Sequence, residues 1–194
     1  MFQIKNLKLH NTYYGLRHGE SYANLSRIIV SNPAIGINKY GLTSKGREQV
    51  LNSVLNANLP STTVIVSSDF KRTRESAEIA AALLGVRHII FNKKLRERFM
   101  GELEGKSITY YRDIWKADMA KSRQLACKAE SIYDILARLT LLLEELEQAY
   151  KNRKILLVSH GDVLKVLSAA FTTPDLTITP AHHFALGELK LLYR

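Results

Sequence analysis

Two histidines and two arginines stand out because each follows a short apolar run. Arg17 and His18 come after Tyr13-Tyr14-Gly15-Leu16, and Gly19 lets the backbone turn closely beside them. His160 comes after Ile155-Leu156-Leu157-Val158, in the segment Ser159-His160-Gly161. Arg72 comes after Val64-Ile65-Val66 by way of Ser67-Ser68-Asp69. β-Branched and apolar runs bounded by turn residues read as strands. In open α/β sheets, ligands bind beyond the carboxyl ends of the strands. The four cationic side chains are therefore expected to converge on one crevice. Helices that begin after such strands aim their first amides at the same place, which suits an anion. Planar guanidinium forks make a phosphate group the natural ligand.

A histidine among arginines can donate hydrogen bonds as an imidazolium or attack phosphorus as a neutral imidazole, and two histidines allow both roles. An acid is then needed to protonate the leaving oxygen. Glu97, in Leu95-Arg96-Glu97-Arg98 of a glycine-containing loop, is the candidate, and the role demands a raised pKa. Other chemistries fit less well. Cysteine phosphatase chemistry needs an arginine six positions after the nucleophile, and the residue six positions after Cys127 is Tyr133. Gly105-Lys106-Ser107 matches only the end of a phosphate-binding P-loop, and Glu102 and Glu104 precede it where anions would sit. His182 and His183 are adjacent, so on a strand they face opposite sides and at most one reaches the site, as a rim contact. His10 and His88 read as ordinary surface or boundary residues.

The elements that must position these groups alternate in type. Strands are expected over Leu9–Leu16, Thr62–Val66, Val86–Phe91, Ile155–Val158 and Phe184–Tyr193. Helices are expected over Ser21–Val30, over Ser44–Asn56 with Thr43 as N-cap, and from Lys71 to Leu84 with Gly85 as C-cap. Ser67, Ser68 and Asp69 are the N-cap candidates of that last helix. A short helix is expected at Tyr110–Met119, a long amphipathic one at Ser131–Tyr150, and one from about Gly161 to Phe171. The leucine stripe at 132–146 lasts barely three heptads and reads as core. The alternation predicts a three-layer α/β/α fold with a mostly parallel central sheet and one antiparallel strand near the C-terminus.

Composition bounds the rest. The chain has 194 residues, 46% hydrophobic and 24% charged, as expected of one globular domain. Its net charge of +10 and pI near 9.7 permit an anionic partner. The basic residues are scattered and no aromatic-basic interleaving accompanies them, so nucleic acid is not the expected partner. A lone cysteine, the absence of an apolar leader in Met1–His10 and the shortness of the apolar runs point to a cytoplasmic protein without a membrane association. The oligomeric state is left open, with a dimer among the options.

The ordered set of motifs resembles the histidine phosphatase superfamily, the phosphoglycerate mutase-like proteins. The arginine–histidine–glycine element is Leu16-Arg17-His18-Gly19-Glu20-Ser21, with Asn24 three residues past the serine. The serine–arginine segment resembles Ser67 to Thr73, the acid loop Glu97 to Gly105, the glutamate–serine pair Glu130-Ser131, and the second histidine motif Val158-Ser159-His160-Gly161. The resemblance implies that His18 is the nucleophile and becomes phosphohistidine. Arg17, Arg72 and His160 would bind the phosphoryl group, with Asn24, Ser21, Gly161 and Arg98 as further substrate contacts. Glu97 would be the proton donor, and no metal or organic cofactor would be needed. The chain departs from the pattern at Ala129, where glycine is usual, at the charged Asp162, and in the short segment between Gly105 and Glu130.

These readings make 1–194 a single domain with a small capping insertion at about 98–130. The expected function is hydrolysis of a phosphorylated small metabolite. The alternatives are a phosphoglycerate mutase or sugar bisphosphatase using the same site, or a non-catalytic basic domain that binds nucleic acid.

Overall fold

In the computed structural model, residues 4, 7–119, 127–173 and 175–194 are described. Five strands form one sheet: β1 (Thr12–Arg17), β2 (Val64–Ser67), β3 (Ile89–Phe91), β4 (Lys154–Ser159) and β5 (Leu189–Tyr193), in the order β3-β2-β4-β1-β5. All neighbours run parallel except β1 and β5. The expected fold class, including the single antiparallel strand at the C-terminal end, is what the chain adopts.

The helices are α1 (Tyr22–Leu25), α2 (Pro33–Gly36), α3 (Ser44–Leu55), α4 (Lys71–Leu84), α5 (Tyr111–Met119), α6 (Ile132–Ala149) and α7 (Gly161–Thr172). Strand β4 explains the layering. Its side chains alternate across the sheet, so Ile155 and Leu157 pack with Leu139 and Leu143 of α6 and Leu164 of α7. Leu156 and Val158 pack on the other face with Val50 of α3 and Ala77 of α4. Both faces are covered, which is why the strand reads as an unbroken apolar run. A third, smaller cluster of Ile29, Met100, Leu103 and Ile114 lies under the segment expected to cap the site. Positions 120–126 of that segment, and Met1–Gln3, Lys5 and Asn6 of the N-terminal stretch, lie outside the described residues.

Local chemistry sets the helix ends. Ser131 and Asp134 form a reciprocal capping box on α6, and Thr43 caps α3 through the Gly46 amide. Gly85 ends α4 in the left-handed region at φ +68°. The N-cap of α4 differs from expectation: it is Phe70, with no side-chain cap. Ser67, Ser68 and Asp69 are engaged elsewhere, Ser68 with His160 and Asp69 with Arg96. The helix expected over Ser21–Val30 is only the four-residue α1. Arg27 turns the chain at φ +54°, and Ile29 then donates to the Lys106 carbonyl, so this stretch pairs with the loop instead of coiling. The first strand starts later than expected, because the Asn11 side chain is tied to Glu147 and to the Tyr150 carbonyl. The last strand also starts late, after a turn at Gly187 with φ +73°.

Candidate active site

The sheet register brings the three motif-bearing strand ends level. Arg17 lies opposite Ser159, and Ser67 opposite Val158. The next residues along these three strands are His18, His160 and Ser68, so all three sit at one edge of the sheet. The loop carrying His18 is clamped from outside: a Cβ on Gly19 would fall 2.0 Å from the Gly46 carbonyl oxygen of α3.

A cavity of about 460 Å³ opens at this edge, and Arg17, His18, Ser21, Asn24, Arg72 and Glu97 line it with Gly161. His160 stands behind Arg72, fully buried, with its ring centroid 5.3 Å from that of His18. His18 Nδ1 is 2.7 Å from the Gly19 carbonyl oxygen, which can only accept, so Nδ1 carries the proton. Nε2 keeps its lone pair and accepts from Arg72 Nε at 3.0 Å. The second histidine is fixed by the same logic. Arg72 Nη2 donates to His160 Nδ1 at 3.0 Å, which leaves Nε2–H to donate to Ser68 Oγ at 3.0 Å.

The electrostatics agree with these tautomers. Burial, and then the charges of Arg72 and Arg17, hold the His18 pKa well below its usual value. His160 is lowered likewise, by burial first and Arg72 next. Both imidazoles are neutral at pH 7. Glu97 moves the other way: burial raises its pKa against the pull of Arg72. Its Oε2 is 3.6 Å from Arg72 Nη2 and 3.7 Å from His160 Nδ1.

Two buried guanidinium nitrogens at this site, Arg17 Nε and Arg72 Nη1, have no hydrogen-bond partner among the described residues. Buried unpaired donors are costly, and an anion with several acceptor oxygens would satisfy both. His18, His160 and Glu97 each offer a metal-ligating atom, all within 4.8 Å of one another. The lone pairs of both histidines are however taken by Arg72, so a cation would have to displace a guanidinium. The donor set suits an anion better.

Ser21 and Asn24 line the cavity and also cap α1 reciprocally, with Ser21 Oγ donating to Asn24 Oδ1 at 2.7 Å. A Cβ on Gly161 would come within 3.1 Å of Arg17 Cζ, so glycine leaves the guanidinium its place. His183 reaches the rim, whereas His182 is engaged with Thr172 and Thr179, so one of the pair enters the site. Arg98 does not line the cavity. It is buried and donates from Nη1 and Nη2 to Asp118 at 2.6 and 2.7 Å, and from Nε to the Glu130 carbonyl at 2.7 Å. The other neighbour of Glu97, Arg96, forks onto Asp69 at 2.7 and 2.5 Å. The flanking arginines hold the acid loop between two carboxylates.

A comparison with family models matches residues 13–193 to the histidine phosphatase superfamily, branch 1. The chain belongs to that superfamily. This histidine phosphatase chain is 34% identical over 159 residues to a probable phosphoglycerate mutase GpmB of Escherichia coli O1:K1, covering 79% of the chain and 71% of the relative. Among solved structures it resembles YhfR of Bacillus stearothermophilus with a TM-score of 0.70 and 26% identity, over 92% and 89% of the two chains. It also resembles a mycobacterial glucosyl-3-phosphoglycerate phosphatase solved with VO3, with a TM-score of 0.68 and 26% identity, over 84% and 83% of the two chains.

Three residues of the histidine phosphatase site escaped the sequence reading. Ser68 orients His160 but looked like a helix cap. Tyr111 and Trp115 line the cavity from α5. Burial and the nearby Glu97 charge raise the Tyr111 pKa well above its usual value. Neither aromatic residue carried a local signal beyond standing in the segment expected to cap the site.

Proposed function

We propose that the protein is a phosphomonoesterase that works through a phosphohistidine on His18. The observation that carries the reading is the tautomer of His18: Nδ1–H is locked to the Gly19 carbonyl and the Nε2 lone pair faces the cationic cavity. In the first half-reaction, Nε2 forms a bond to phosphorus as the ester P–O bond breaks. Arg72 turns its Nε–H from His18 to a phosphoryl oxygen, Arg17 adds donors to the equatorial oxygens, and His160, bonded to Arg72 and Ser68, holds Arg72 in place. Glu97 gives its proton to the leaving alkoxide. In the second half-reaction, the Glu97 carboxylate takes a proton from water, the water oxygen attacks phosphorus, and the P–N bond breaks to restore His18. Ser21, Asn24 and Gly161 shape the phosphoryl end.

Every step uses side chains of this chain, so the reaction needs no metal. The lone cysteine is consistent with a cytoplasmic setting. The name of the Escherichia coli relative supports a second reading at the same site, a mutase that returns the phosphoryl group to a second substrate instead of water.

The test is phosphate release from a panel of phosphomonoesters, with and without a chelator. Wild type is expected to release inorganic phosphate in both, and His18→Ala to lose at least ~10³-fold in kcat. Unchanged turnover in His18→Ala would overturn the phosphohistidine step. Loss of activity with the chelator would overturn the metal-free one. Transfer of label to an added acceptor in place of water would favour the mutase.

A further inference from the structure

The cavity has two unlike ends. The phosphoryl end is cationic and buried. The rest of its wall includes Ile28, Ile108, Tyr111 and Trp115, with the Tyr111 phenol close enough to Glu97 to feel its charge. Trp115 is the only tryptophan of the chain, and 41% of it faces solvent. Its ring is nevertheless fixed. The indole N–H donates to the Asp162 carboxylate at 3.2 and 3.4 Å. Lys165 Nζ stands 4.2 Å from the ring centroid and is paired with Asp162 at 2.9 Å. The Tyr111 ring lies 5.8 Å away, tilted by 34°. Asp162 itself is held by Arg98 at 3.5 Å.

An exposed indole normally keeps its side-chain freedom and loses it on binding. Here that cost is met within the fold, so an apolar ligand surface laid on the ring gains its contact with little ordering. The polar groups near the wall are largely committed. Asp162 serves Lys165, Trp115 and Arg98, and Thr109 Oγ1 bonds to Ser107 Oγ at 3.0 Å. Arg112 also lines the cavity but is exposed, so water screens its charge.

We propose that this wall sets the substrate class: the alcohol esterified to the phosphate carries a ring-sized apolar group that lies against Trp115. The proposal rests on the phosphomonoesterase reading for the phosphoryl end. Trp115 is then a specificity-determining residue, and Asp162 and Lys165 position it. The charged residue that departs from the family pattern at position 162 thereby acquires a task, which is to orient the indole.

Because Trp115 is the sole tryptophan, its emission reports on this wall alone. The full-length chain is titrated with benzylphosphonate and with methylphosphonate, neither of which has an ester bond to break. Benzylphosphonate is expected to change the emission saturably and to bind at least ~10-fold more tightly than methylphosphonate. By calorimetry, Trp115→Ala is expected to cut that affinity ratio by about tenfold, and Trp115→Phe, which keeps a ring, to hold it within about threefold of wild type. Equal affinity for the two phosphonates overturns the proposal, as does an unchanged ratio in Trp115→Ala. The two readings fail separately. A ring preference in binding without turnover of phenyl phosphate sinks the phosphomonoesterase and keeps the wall. Turnover of phenyl and methyl phosphates with equal KM and equal binding of the phosphonates sinks the wall alone.

Discussion

Four of the arginines around the site divide into two pairs. Arg17 and Arg72 stand at a strand end and in the first turn of α4, and each has a buried nitrogen without a partner among the described residues. Arg96 and Arg98 flank Glu97, and each forks onto a carboxylate, Asp69 or Asp118. A guanidinium whose forks are filled by the protein is a brace. One with open donors is a receptor, because the energy of pairing them is still available to a ligand. Residue type and closeness to Glu97 do not separate the two uses. The carboxylate that reaches each fork does, and it comes from a distant part of the chain.

Removing a receptor is expected to hit the reaction and spare the fold. Arg72→Ala should lower kcat/KM by ~10²–10³, the usual cost of losing a preorganised donor to developing negative charge. Its denaturant midpoint should fall less than that of Arg98→Met, since the lost donors to His18, His160 and the Val30 carbonyl are partly offset by removal of a buried and partly unpaired charge. A large loss of stability with intact kcat/KM would turn Arg72 into a brace and erase the distinction.

Removing a brace is expected to do the reverse. Arg98 is 1% exposed, and Arg98→Met would leave Asp118 and Asp162 buried without it. Breaking a buried pair of this kind costs roughly 3–5 kcal/mol, read as a shift of the unfolding midpoint. At a temperature where the variant is folded, KM for a small phosphomonoester should move less than kcat, because Arg98 holds the acid loop and not the phosphate. A purely KM effect at unchanged stability would restore Arg98 to the substrate contacts.

The same division shows what could be read from the sequence. The layers, the mostly parallel sheet and the convergence of Arg17, His18, Arg72 and His160 follow from apolar runs ending in polar motifs, because strand ends of a parallel sheet share one edge; the order of the strands does not. Glu97 was legible through the ordered motifs. Arg98 was misplaced, because its partners lie 20 and 64 positions away and no local pattern ties Asp118 or Asp162 to it. Ser68 was misread for a similar reason. A serine before a helix usually caps it, and only the tertiary approach of His160 at 3.0 Å shows that its oxygen is engaged elsewhere. Local periodicity reports on faces and ends, while hydrogen-bond partners are decided by the assembled layers.

The smallest effect is also the most selective, because the two pairs should differ in how they act on protons. Burial and then the charges of Arg72 and Arg17 lower the His18 pKa. Arg72 also lowers the Glu97 pKa, against the burial that raises it. The proposed reaction needs neutral His18 and protonated Glu97 together. Lowering the first group from 6.5 and raising the second from 4.5 brings those two forms into one pH range. The profile of kcat/KM should therefore be a bell whose acid limb lies well below 6.5, where His18 protonates, and whose alkaline limb lies above 4.5, where Glu97 loses its proton. In Arg72→Ala both pKa values rise, so the whole bell should move to higher pH. In Arg98→Met the acid limb should stay in place. Stability has its own sign: both buried histidines bind their protons more readily unfolded, so stability should fall as pH drops below 6.5. A bell that moves in Arg98→Met but not in Arg72→Ala would show that the saturated pair, and not the open one, sets the field at His18.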